Sequence, residues 1–227
     1  KEIAARFDSR NFTDNLLSRQ FNQIAFQKKA MRHAIYSALE QALIIGSSAT
    51  GGQFDGLSRL AVTMGLGQVV NAATTDELNK LDEAITKLRS HNRKCDLIVM
   101  NQNSWRRVLE LQRGKGFAPQ FKFDARIGQR ILHIDGIPVC LSDHIPDASS
   151  GGGSPVTISD IYFLCLGRPN GVYGLLSKRK PSVFYTKTSR DDSPFFSYEA
   201  HLYCSLVSST TDALVKLSGW RNQLSGV

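Results

Sequence analysis

From Asp14 to Ile45 the chain runs thirty-two residues without a proline or a glycine. Leu17, Phe21, Ile24, Met31, Ile35, Leu39 and Ala42 recur in that stretch at steps of three, four and seven residues. One face of an α-helix requires that spacing, and Thr13 or Asp14 supplies a cap at its start. Only Lys28 interrupts the stripe. At 1.5 Å per residue such a helix is a rod of about 48 Å, and its thirty-two residues are nearly three times the usual run of about 11 or 12. The stripe is aromatic-rich and irregular, and flanking charges are sparse, which argues against a free coiled coil. The expectation is a spine packed against a sheet, stopped at Gly46. Behind it comes the exit loop "SSATGG", then "QFDGLSRLA".

That glycine-rich exit is not a phosphate loop. It follows a helix, whereas phosphate cradles precede helix N-termini, and it lacks the Gly-Lys-Ser/Thr ending. The remainder of the chain alternates helices and strands, so the expected class is α+β. "TTDELNKLDEAITKLR" reads as a capped amphipathic helix with the stripe Leu78, Leu81, Ile85 and Leu88. "CDLIVMN" is a continuous apolar run suited to a buried strand. "NSWRRVLELQ" reads as a short helix capped by Asn103 or Ser104. "RILHIDGIPVCLSDHIP" predicts two strands around an Asp135-Gly136 turn. "DASSGGGSP" reads as a flexible loop, with the strand "DIYFLCLG" after it and an Asn170-Gly171 turn beyond. "SVFYTKT" is extended, "SRDDSP" is a polar turn, and the last long apolar segment closes the chain as two strands or as a strand and a connector.

With 227 residues and 41% hydrophobic content there is material for a large core. No apolar run approaches the roughly 20 residues of a membrane-spanning helix, so no membrane partner is expected. The chain opens on Lys rather than Met, as a processed, trimmed or only partly represented chain would. Its net charge of +8 favours polyanionic partners. The surplus is dispersed in small clusters, among them Lys28-Lys29 with Arg32 and Lys178-Arg179-Lys180. Cys95, Cys140, Cys165 and Cys204 form no CxxC pair, which disfavours a zinc ribbon or a redox pair. Each lies in an apolar run and is expected to behave as a small core hydrophobe in a reducing compartment.

Chemistry-bearing constellations are sparse. His133 and Asp135 lie two apart on a predicted strand and so share a face, and the adjacent Asp143 and His144 close a strand; neither pair has the HExxH or zinc-deaminase context of a metal site. No G-x-S-x-G nucleophile elbow occurs. Asp191 and Asp192, beside Arg190 and Pro194, have the composition of a turn. No catalytic residue, cofactor-binding residue or metal ligand is expected, and the chain is not expected to be an enzyme.

Taken in order, the spine helix, "GSSATGGQFDGL", "CDLIVMN", "SWRRVLEL", "IDGIPVCLSDHIP" and "DIYFLCLG" resemble the major capsid protein of tailed bacteriophages, the Hong Kong 97-type fold. The carrying elements are Asp55-Gly56-Leu57 after the spine, Met100-Asn101 at a strand end, and Gly136-Ile137-Pro138-Val139 running to Ser142-Asp143-His144-Ile145-Pro146. The resemblance covers about Asp14 to Trp220. It implies a long spine helix, a peripheral P-domain and an axial A-domain. On that division residues 1–12 end an extended loop, and 13–50 hold the spine helix and the start of the P-domain. Residues 51–180 are mainly A-domain, and 181–227 are return strands shared between the two. Gly51, Gly52, Phe54, Asp55, Gly56 and Leu57 would form the domain crossover. Lys28, Lys29 and Arg32 would face packaged DNA.

The function implied is a major capsid protein that self-assembles, as pentamers and hexamers, into an icosahedral shell around double-stranded DNA. The further implied partners are portal and scaffolding proteins. Its place would be the virion, after assembly in the host cytoplasm. An encapsulin-like compartment shell shares the fold and is the alternative. A soluble α/β enzyme, suggested by "CDLIVMN" beside a helix, is a third reading.

Overall fold

The computed structural model describes residues 2–10, 23–50, 53–63, 68–72, 77–90, 93–124, 128–150, 156–178, 183–189 and 195–222. In chain order the elements begin with β1 (Glu2–Arg10), α1 (Gln23–Ile45), a 3-10 turn at Ser48–Thr50, α2 (Leu57–Thr63) and β2 (Val69–Asn71). There follow α3 (Glu77–Ser90), β3 (Leu97–Met100), α4 (Gln102–Gly114), β4 (Gln120–Asp124), β5 (Gln129–Ile134) and β6 (Ile137–Leu141). The last are β7 (Ala148–Ser150), β8 (Val156–Leu164), β9 (Val172–Leu176), β10 (Phe184–Ser189), β11 (Phe195–Ser208) and β12 (Leu214–Arg221).

The larger sheet runs β2-β12-β8-β3-β6-β5-β4, with β7 joined to β8. β3 lies parallel to β6 and β12 parallel to β2, and the other pairings are antiparallel. The reason for the unbroken apolar runs of β3 and β8 is cover on both faces. Ile98, Met100, Ile161 and Phe163 face one side, where they meet Leu81, Ile85 and Leu88 of α3, Val108 of α4 and Trp220. Val99, Tyr162 and Leu164 alternate to the other side and meet Ile44 of α1 with Leu57 and Ala61 of α2. The period of two along a strand makes this sorting automatic. Burial pushes the Tyr162 hydroxyl's pKa well up.

A smaller sheet has the order β1-β11-β10, and β9 pairs with the far half of β11. Ala200, Leu202 and Cys204 face α1, where Met31, Ile35 and Ala42 supply the expected stripe, together with Phe54. Leu206 touches both this cluster and the second core of the large sheet, so β11 is the strand that joins the layers. The spine-on-sheet expectation holds, over 23 described helical residues. Its predicted first turns, Asp14 to Asn22, lie outside the described residues.

Three local expectations need correction. The cap of α4 is Asn101, whose side chain accepts from the Ser104 amide at 2.8 Å. Asn103 and Ser104 are already inside the helix. "DASSGGGSP" is not loop throughout, since Ala148–Ser150 pairs with Val156–Ile158. Cys140 is exposed and Cys165 half-buried, whereas Cys95 and Cys204 are buried as expected; none of the four forms a disulfide. The Asp135-Gly136 turn is as predicted, with φ of 51° and 76°, the mirror-image turn that suits a two-residue hairpin. No described helix is long and apolar enough to cross a membrane.

Candidate functional site at the end of the long helix

The chain leaves α1 by a turn in which two strands of backbone nearly touch. The Gly46 amide donates to Ala42 O at 3.0 Å, and the Gly56 amide donates to Gly46 O at 2.9 Å. A Cβ on Gly46 would stand 2.3 Å from Ala42 O, and one on Gly56 would stand 2.6 Å from the same oxygen. Only glycine permits that approach at both positions. Phe54 and Leu57, each 5% exposed, anchor the far side of the turn.

Asp55 closes the turn electrostatically. Its carboxylate accepts from the Ser48 amide at 2.9 Å and from the Ser48 hydroxyl at 3.0 Å. Arg59, one helical turn on, pairs with it at 3.0 Å and also donates to Ser47 Oγ at 2.9 Å. The Ser48 amide, chiefly, holds the Asp55 carboxyl below its ordinary pKa, because donors to the ionised form favour ionisation. Of the residues assigned to the crossover, Phe54, Asp55, Gly56 and Leu57 are thus brought together. Gly51 and Gly52 lie outside the described residues.

The three basic residues expected to face DNA do not share one outward face. Lys28 turns into the seam between helix and sheet, where its ammonium lies 5.7 Å from the Tyr185 ring centre and 5.5 Å from that of Tyr198. Tyr185 also donates its hydroxyl to Lys28 O at 3.0 Å. Arg32 is exposed and its side chain hydrogen-bonds Tyr185, which raises its pKa. Lys29 is exposed. An interruption in an apolar stripe is visible in the sequence, but the two tyrosines that accept its charge are far along the chain.

Sequence reasoning missed a polar knot on the large sheet. Asp147 accepts from the side-chain amides of Asn101 and Asn222, both at 2.6 Å, and of Asn103 at 2.7 Å. Beneath it Ser104 Oγ meets Ser159 Oγ at 2.6 Å and donates to Asn222 Oδ1 at 2.8 Å. Asn101, Ser104, Ser159 and Asn222 are buried. Every acceptor in the knot is fed by an amide or hydroxyl, so it fastens four chain segments together and leaves no group poised as nucleophile or base. The only sequence signal for it was Met100-Asn101.

The remaining candidate pairs separate. His133 Nδ1 lies 3.0 Å from Ile131 O, while Asp135 pairs with Arg89 at 2.7 Å. His144 Nε2 lies 3.2 Å from Ser37 Oγ. Ser142 donates to Glu40 at 2.6 Å, and Ile145 is buried in the second core. "SDHIP" is therefore the segment that clips the large sheet to the outer side of α1. Asp191 and Asp192 lie outside the described residues. Among the described residues no group of three or more His, Cys, Asp or Glu could hold a metal ion.

The fold of the chain is similar to that of the SrpI encapsulin of Synechococcus elongatus PCC 7942 in its holo complex, at a TM-score of 0.83 and 20% identity, covering 100% of this chain and 76% of that one. It is similar to the capsid of an empty GTA particle, at a TM-score of 0.69 and 16% identity, covering 96% and 73%. Mycobacterium phage Bobi gives a TM-score of 0.64 at 12% identity, covering 96% and 71%. None of the curated proteins matches the chain by sequence. These likenesses establish the Hong Kong 97-type fold. The model of the phage capsid family matches residues 16–165, most of the chain. The chain belongs to the phage capsid family, as a structural protein of the virion that assembles with copies of itself into a shell.

Proposed function

We propose that this chain is the major capsid protein of an icosahedral shell enclosing double-stranded DNA. The observation that carries the reading is the family match over residues 16–165. The charge of +8 supports nucleic acid as the content, through sequence-independent attraction and counterion release. The role is geometric: a subunit with several surfaces makes many moderate contacts that sum to a stable closed assembly. No catalytic step and no cofactor enter it. Pentamers and hexamers are the expected rings, with portal and scaffolding proteins as further partners and assembly in the host cytoplasm.

On this reading 1–12 ends an extended loop, 13–50 is spine and the start of the P-domain, 51–180 is mainly A-domain, and 181–227 supplies return strands to both. The turn built from Phe54, Asp55, Gly56 and Leu57, with Gly51 and Gly52, is then the crossover between domains. Its tight backbone packing suits a joint that fixes an angle. Lys29 and Arg32 are the residues offered to DNA, with Lys28 contributing charge from within the seam. Replacing all three by Gln is expected to reduce the salt slope of DNA binding by assembled shells, with the Lys29 and Arg32 changes carrying most of it. An unchanged slope would remove these residues from the DNA-facing surface.

The second reading is an encapsulin-like compartment, favoured by the likeness to the SrpI encapsulin over the whole of this chain. Electron microscopy of nuclease-treated particles, with absorbance of their contents, separates the two. Closed shells holding nucleic acid support the capsid. Closed shells with protein cargo and no nucleic acid support the compartment. A chain that stays monomeric under assembly conditions would sink both.

A further inference from the structure

Among the described residues, two apolar surfaces are left open. The first is a groove of about 350 Å³ on the second face of the large sheet. Leu43 of α1, Leu97 and Val99 of β3, and Leu206 line it, with the exposed Cys140 on β6. Among the described residues, Glu40 is the one charged residue in its lining. The groove exists because α1 and α2 pack over the β3-β8-β12 side of this face and stop short of β6. The second surface is a ridge at the edge of the same sheet, two strands from β6. Phe117, Phe121 and Phe123 are 62%, 44% and 67% exposed, and β4, which carries two of them on one face, is the terminal strand of the sheet. Edge strands are normally blunted by charge, proline or cover. Three aromatics within seven residues beside such an edge mark an interaction surface.

We propose that the Phe-bearing edge of β4 in one copy docks in the groove of the next copy. The proposal rests on the reading that the chain assembles with copies of itself. A ring of identical subunits related by rotations other than a two-fold needs two different, complementary surfaces on each subunit, and the ridge and the groove are such a pair. Their charges also match. Among the described residues beside the ridge, Arg113, Lys115, Lys122 and Arg130 stand against a single acid, Asp124, while the groove presents Glu40. Aromatic anchors seated in a desolvated pocket, with charge at the rim, are the usual energetic centre of a protein interface. The exposure of Cys140 follows too, since that stretch of the sheet is covered only by the neighbour.

Cys140 makes the contact testable. Phe121 also borders a recess beside Cys140 within its own chain, so the probe is placed at Phe123. Shells are assembled from wild-type chain with a minor fraction of Phe123→Cys, oxidised with diamide and run on a non-reducing gel. The expected result is a dimer band from an interchain disulfide to Cys140, mapped by mass spectrometry and lost in a Cys140→Ser background and in dissociated subunits. In parallel, Phe121→Ser/Phe123→Ser is expected to lower shell yield at least about tenfold while the melting temperature of the subunit is unchanged. Shells that form without the cross-link, and at normal yield from the serine variant, would overturn the proposal. So would a Cys140 shielded from maleimide in shells yet never cross-linked, because another occupant would then fill the groove. A wild-type chain that makes no shell would instead refute the assembly reading, and this interface with it.

Discussion

The two sheets are built to different degrees of completeness. The large sheet sorts alternate residues of β3 and β8 into cores on both faces, one under α3 and α4 and one under α1 and α2. Among the described residues, the small sheet is covered on one face only. Its inner residues Ala200, Leu202 and Cys204 meet α1. Its outer face carries His201, Tyr203 and Phe184, with the two rings 5.1 and 5.7 Å from that of Phe184. Polar ties edge that outer face. His201 Nδ1 lies 2.5 Å from Glu2, and Arg6 lies 3.8 Å from Glu199. Exposed pairs of this kind contribute little. The large sheet is held by its own interior, whereas the small layer hangs on one helix and on strand pairing. A shell subunit can use that asymmetry, because the outer face of the small layer, like the open groove beside β6 of the large sheet, is left for a neighbour to complete.

The sharpest way to break this comparison is to hollow out each core in turn. Trp220→Ala removes a side chain with no exposure from the large core and is expected to cost about 4 kcal/mol. It should lower the single melting transition of the whole subunit. Ile35→Ala, in the seam under the small sheet, is expected to cost about 3 kcal/mol and to loosen that layer first. Two buried thiols report the difference. Burial in the large core pushes the Cys95 thiol up to about 11, and burial against α1 also raises Cys204. In Ile35→Ala, Cys204 should react with a thiol reagent well before Cys95. Equal labelling rates for the two would show one cooperative unit and end the distinction.

The joint between the layers is next in expected effect. Gly56→Ala places a Cβ within 3 Å of the backbone of Ala42, Gly46 and Ile44. None of these can yield without moving α1, so a loss of about 3 kcal/mol is expected by calorimetry. An unaltered melting temperature would mean that the turn opens easily and that the two layers are coupled elsewhere. Asn101→Ala comes after it. Loss of the α4 cap together with one amide donor to Asp147 is expected to cost about 1.5 kcal/mol. The loss should fall on the large sheet alone, leaving Cys204 labelling unchanged.

The periodic parts of this architecture were legible in the sequence. The stripe Met31, Ile35, Leu39 and Ala42 announced a helix with a sheet beneath it, and "CDLIVMN" announced a strand buried on both faces. What escaped depends on partners distant in the chain. Lys28 reads as a lone charge on an apolar face until Tyr185 and Tyr198 are brought under it. Cys140 reads as a core residue because "IPVCL" is apolar, and nothing local says that helical cover ends one strand earlier. Ala148 to Ser150 have loop composition, yet a ladder with β8 needs only backbone groups. Asp147 looked like part of a linker, and its three amide donors come from residues as far away as Asn222. At the joint, the run Gly51-Gly52 drew attention by composition. The close approach falls on Gly46 and Gly56, where two segments of backbone meet.

Asp55 gives the mildest and most specific test of how the layers are joined. Its folded-state pKa is lowered, chiefly by the Ser48 amide. A carboxyl depressed in the folded state contributes stability above its unfolded value, about 3.9 for Asp. That contribution is lost as pH falls through the lower folded value. The wild-type chain should therefore lose stability at the joint only below about pH 4, with the proton entering where Ser48 and Arg59 converge. Asp55→Asn retains the size of the side chain but not its charge. It is expected to be less stable than wild type at pH 7, and the deficit should shrink as both are taken down through that acid range. Thermal melts at a series of pH values read this directly. A deficit that stayed constant with pH would mean that the turn is held by shape, through Phe54, Leu57 and the two glycines, and that the Asp55 carboxylate adds no charge-dependent grip between the layers.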